Sequence, residues 1–166
     1  MAPRVPDNLF TFSEEEVETA KRSLETFARP RVRVKKNTIG QSVWQKACAN
    51  AIRFMAEGDW KEAWPRDFVA AYAVLHKDIY GIDPIELTPE IRMRAAAQAA
   101  NLLTKEFHDD KNLFADFLRW TWTREEAREK WRRENGRPGG RIGWNTQFIA
   151  GGILSDWRLD HVRRRK

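Results

Sequence analysis

The sequence predicts an all-α, single-domain bundle of five or more helices, carrying an extended basic arm and a Gly-rich basic C-terminal region. Three observations predict it. Apolar residues recur at helical spacing in five separate stretches. Those stretches are bounded by residues that start and stop helices. Only one short segment alternates with the period of a strand, and a lone strand has nothing to pair with.

Taken in order, the first helix is announced by Ser13 and Glu16, the pair of a capping box, with Phe12 and Val17 placed as a hydrophobic staple. It is expected to run from about Glu14 to Ala28, where Pro30 prevents continuation. The segment from Arg29 to Lys36 then alternates basic and apolar residues and reads as an extended arm. Ser42 to Ala56 places Val43, Ala47, Ala51 and Phe54 on one helical face. Pro65 to Tyr80 carries Phe68, Tyr72, Leu75 and Ile79 in a stripe, with Gly81 as its stop. Thr88 is an N-cap with Pro89 at the first helical position, opening a helix through Ile91, Ala95, Ala99 and Leu102. The alanine-rich run from Ala95 to Ala100 allows a neighbouring helix to approach closely.

A long helix is expected from about Lys111 to Asn135, with Leu113, Phe117, Trp120, Ala127 and Trp131 on its buried face and Gly136 at its end. Trp120 and Trp131 should then be buried, leaving Trp60, Trp64, Trp122 and Trp157 outside any core stripe. Gly136 to Gly143 must be a loop, and Gln147 to Val162 a helix interrupted at Gly151 and Gly152. The division that follows is a helical domain over 1–135, including the arm at 29–36, and a basic Gly-rich loop and C-terminal segment over 136–166, packed on that domain or extending from it.

Charge is distributed unevenly. The net charge is +6, yet residues 1–28 sum to −3 and residues 37–118 to −3, so the excess sits in residues 29–36 at +5 and residues 119–166 at +7. Such segregation points to an anionic partner. A single cysteine, Cys48, excludes an internal disulfide framework and fits a reducing, intracellular, cytoplasmic setting. The stretch from Met1 to Phe10 lacks the pattern of a secretory signal, and no apolar run is long enough for a membrane helix. No membrane partner is expected.

No catalytic, metal-binding or cofactor motif is found. His76, His108 and His161 stand far apart, and His108-Asp109-Asp110 reads as one helix ending and the next being capped, ahead of a magnesium site that would add Asp116. Cys48 lies in an apolar stripe and reads as a small buried hydrophobe. Candidate contacts to nucleic acid, DNA ahead of RNA, are Lys130, Arg132, Arg133, Arg137 and Arg141 around the glycine loop. Arg163, Arg164, Arg165 and Lys166 at the terminus join them, with Arg31, Arg33, Lys35 and Lys36 on the arm. Cations release counterions from phosphates, glycines let the backbone approach, and Trp144 offers a ring on which a base can stack.

Gly136-Arg137-Pro138 resembles the core of an AT-hook, an element that lies in the minor groove of A/T-rich DNA. Asn135 stands where the hook has a basic residue, and Gly139-Gly140 separate the core from Arg141. The leading expectation is therefore a non-enzymatic nucleic-acid-binding accessory protein. The alternatives are a protein-interaction module docking on a larger machine through exposed Trp and Arg, and a nuclease-like enzyme with a dispersed site.

Overall fold

The computed structural model describes residues 12–26, 38–124, 141–148 and 151–164. Among these it is all-helical, with α1 (Glu14–Thr26), α2 (Gln41–Glu57), α3 (Pro65–Tyr80), α4 (Pro89–Phe107), α5 (Lys111–Thr123), α6 (Trp144–Phe148) and α7 (Gly151–Arg164). No strand occurs among the described residues. The arm at 29–36 and the loop core at 136–140 lie outside them.

The ends of the helices follow from local chemistry. Ser13 and Glu16 close the capping box: the Glu16 N–H donates to Ser13 Oγ at 3.2 Å and the Ser13 N–H to Glu16 Oε2 at 2.8 Å. Gly58 and Gly81 end α2 and α3 in the left-handed conformation, φ 70° and 73°, and donate to the Phe54 and Lys77 carbonyls. At the start of α3, Asp67 Oδ2 accepts the Trp64 N–H at 2.8 Å. Thr88 accepts the Ile91 N–H at 3.4 Å. His108 closes α4 at φ 51°, and Asp110 caps α5 by accepting the Leu113 N–H at 3.0 Å. Asp110→Ala should therefore destabilise the fold by about 1 kcal/mol in urea unfolding.

The long helix expected to reach Asn135 instead ends at Thr123, with Arg124 in extended conformation. In the last turn Thr123 Oγ1 donates back to the Arg119 carbonyl at 2.9 Å and to the Trp120 carbonyl at 3.3 Å, and the Arg124 N–H also donates to the Trp120 carbonyl at 3.2 Å. Residues 125–140, including Ala127 and Trp131, lie outside the described ones.

Helix α3 forms the centre. It packs against α2 on one side and α4 on the other, and also touches α5 and α6; α1 lies on α2, and α7 on α5. Buried small residues allow these close approaches: Ala47 and Ala51 on α2, Ala70, Ala71 and Ala73 on α3, Ala95, Ala96 and Ala99 on α4. Aromatic rings fill the rest. Trp60 stacks on Phe68 at 5.0 Å, Phe68 meets Phe114 at 4.7 Å, and Phe107 bridges Phe114, Phe117 and Trp157. Ile142, Trp144, Phe148, Ile153, Leu154 and Trp157 belong to this same core, which ties the C-terminal segment to the helical body.

The tryptophans divide differently from expectation. Trp60, Trp122 and Trp157 are core residues, while Trp64 is exposed and Trp120 only half-buried. With α5 ending at Thr123, its buried face centres on Phe114, Phe117, Leu118, Thr121 and Trp122. The stripe read through Trp120 and Ala127 is rotated from that face, and the two share only Phe117 among these buried positions.

Candidate nucleic-acid interface

Most of the basic residues singled out from sequence lie outside the described ones: Arg31, Arg33, Lys35, Lys36, Lys130, Arg132, Arg133, Arg137, Arg165 and Lys166. Four are placed. Arg163 and Arg164 are exposed on the last turn of α7, and Arg141 is half-buried just ahead of α6. Trp144 is 8% exposed and part of the core, which removes it as a stacking platform for a base. It stands where the chain re-enters the core after the glycine loop, and burial of its large apolar ring outweighs display.

Arg164 belongs to an arrangement that the sequence alone did not assemble. Asp160 Oδ2 accepts three N–H groups: from Trp120 Nε1 at 2.9 Å, from Arg124 Nη2 at 2.9 Å and from Arg164 Nε at 3.0 Å. One carboxylate thus holds the end of α5 to the end of α7. Beside it lies a cleft of about 500 Å³ whose walls include Arg119, Trp120, Asp160, His161 and Arg164. His161 stacks on Trp157 at 4.9 Å, and one turn earlier Arg158 donates to Glu106 at 2.6 Å. The Asp160–Arg164 pair is visible in sequence as an i,i+4 spacing. The Trp120 and Arg124 contacts span 40 and 36 residues, and no local signal gives them.

A second polar cluster seats the chain where it leaves the glycine loop. Tyr72, His76 and Tyr80 follow one another at four-residue intervals along α3. The Tyr72 hydroxyl donates to the Ile142 carbonyl at 2.9 Å, and the Tyr80 hydroxyl accepts the Ile142 N–H at 3.3 Å. Tyr72 Oη also lies 3.2 Å from Glu86 Oε1. Two tyrosines therefore grip both backbone groups of one residue, as a neighbouring strand would.

His76 sits between them, 1% exposed, with Nδ1 2.8 Å from the Ile82 carbonyl. A carbonyl only accepts, so Nδ1 carries the proton. Nε2 is buried and has no hydrogen-bond partner among the described residues. Burial holds the imidazole below its usual pKa of 6.5, against the opposing pull of the Ile82 hydrogen bond and of Glu86 and Asp83. Arg141 adds to the lowering. The unfolded chain then takes up a proton before the folded one does. His76 therefore contributes full stability above pH 6.5, and that contribution is lost as pH falls from there through the folded-state value. His76→Gln should flatten the dependence of urea-unfolding free energy on pH in that window.

The other chemistry-bearing groups are accounted for. Burial pushes the Cys48 thiol up to about 12, so it is no nucleophile in the folded state. A thiol reagent at mildly alkaline pH should label Cys48 only once the protein is unfolded. Asp109 and Asp110 are engaged at the α4–α5 junction by Thr104 and Leu113. Among the described residues, no three His, Cys, Asp or Glu side chains gather to hold a metal, and no helix is long and apolar enough to cross a membrane. Comparison with protein-family models, with curated proteins and with solved structures found no match to this chain.

Proposed function

We propose that this chain is a non-enzymatic nucleic-acid-binding accessory protein, taking DNA ahead of RNA, which meets the phosphate backbone with its basic C-terminal quarter. The observation that carries the reading is the Asp160 junction. It holds Arg124 and Arg164 on one carboxylate, with Arg164 and Arg119 lining the adjoining cleft, in the region of the chain that sums to +7. Each guanidinium commits one edge to Asp160, and an arginine has five N–H donors, so both retain groups for a phosphate. Anchored arginines lose less side-chain freedom on binding than free ones. Arg163 next to Arg164 extends the positive field. The single cysteine supports a reducing, cytoplasmic setting.

Arg124→Gln combined with Arg164→Gln should lower affinity for duplex and single-stranded oligonucleotides alike. It should also flatten the log–log salt slope by about 0.9 for each duplex phosphate that is no longer neutralised. A matched pair on the opposite helices, Arg22→Gln with Lys46→Gln, should change neither. Unaltered affinity and slope in the first pair would remove the Asp160 junction from the interface.

The protein-interaction reading retains one specific feature. Trp64 is 63% exposed, with the Arg66 guanidinium 5.5 Å from its ring centre, an aromatic and cationic pair of the kind that anchors interfaces.

A further inference from the structure

We propose that the partly open pocket lined by α1, α2, α3 and the start of α4 binds a small monocarboxylate with an apolar, preferably aromatic, body, whose carboxylate is taken by Arg92. The cavity measures about 500 Å³, within the range of small-molecule sites, and shares no lining residue with the cleft at Asp160. Its apolar wall is formed by Trp44, Cys48, Ile52, Val74 and Leu87. Arg92 lines the same space, half-buried, its guanidinium carbon 4.6 Å from the centre of the Trp44 ring.

The charge arrangement selects the ligand. Arg22, Arg53, Arg124, Arg158 and Arg164 each have a carboxylate partner. Arg92 has none among the described residues, and its Nε is shut off from solvent without a hydrogen-bond acceptor. Burial pulls its pKa down. A cation kept partly desolvated, 4.6 Å from an indole centre and with no carboxylate in direct contact among the described residues, can receive one carboxylate. The remaining ionised groups limit how much negative charge can enter. Lys77 is paired with Asp83 at 3.5 Å, Glu16 is held in the Ser13 capping box, and Asp78 is raised in pKa by burial and by Glu16. With three carboxylates around the same space, a dianion or a phosphate ester is repelled, whereas a monoanion meets Arg92 and lays its apolar body on Ile52, Val74 and Leu87.

Titration calorimetry with 3-phenylpropionate, its primary amide and phenyl phosphate tests this on the whole chain. The acid should bind saturably and about tenfold or more tighter than the amide, with phenyl phosphate weaker than the acid. Arg92→Gln should abolish the preference of acid over amide while leaving the far-ultraviolet circular dichroism unchanged. Val74→Trp, which fills the cavity, should abolish binding of both. Acid and amide binding equally to the wild type would overturn the proposal, and that comparison requires no variant to fold. Absence of saturable binding by the acid, or persistence of the acid-over-amide preference in Arg92→Gln, would overturn it too.

Discussion

Trp122→Ala is expected to lower the unfolding free energy by about 3–5 kcal/mol, as removal of a large core ring does. For a domain whose whole stability is about 5–15 kcal/mol, that is a large fraction of the total. Trp122 is fully buried, with Tyr72 at 5.7 Å and Tyr80 at 6.2 Å between ring centres. Its removal therefore opens a void beside the two residues that seat Ile142. Trp122→Phe should be much milder. The indole Nε1 is buried and has no hydrogen-bond partner among the described residues, so phenylalanine deletes an unsatisfied donor along with part of the ring. Urea unfolding of both variants checks the assignment. Equal losses would show that the indole nitrogen has a partner, and a small loss in the alanine variant would show that α5 buries another face.

Tyr72→Phe is expected to cost about 1–3 kcal/mol, the range for removing one partner of a buried hydrogen bond. The ring remains, with its contacts to Trp122 and to Phe148 at 6.3 Å, so the loss isolates the hydroxyl. That hydroxyl donates to the Ile142 carbonyl, and Ile142 is 1% exposed. The damage should be local first: hydrogen exchange at residues 141–148 should quicken more than exchange in α2 or α4. Uniform quickening would mean that the tyrosine supports the core as a whole without specifically seating the C-terminal segment.

The helices that could be read from sequence are those whose ends are written into adjacent residues. Thr88-Pro89 and Gly81 mark their helix ends through backbone chemistry that acts within one turn, and α3 ends and α4 begins where they predict. The end of α5 is not legible, because the apolar pattern runs on past Thr123 and no glycine or proline follows at once to mark a stop. The roles of the tryptophans failed for the same reason. Once the helix is extended too far, its best stripe passes through Trp120 instead of Trp122. Trp60 precedes α3 in a stretch without periodicity, and only the packing of Phe54 and Phe68 around it reveals it as core. The basic character of the C-terminal quarter was plain from composition. The junction that organises part of it was not, since Asp160 joins residues far apart in the chain. Arg92, too, looks like any exposed helical arginine until Trp44 is placed beneath it.

A binding titration against a duplex and a single-stranded oligonucleotide, each at about 50 and about 200 mM salt, tests the central claim most directly. The account predicts saturable binding to nucleic acid that weakens by at least about tenfold across that range, as displacement of counterions from several phosphates requires. Binding that is absent at the lower salt, or that holds the same affinity at both, would contradict it.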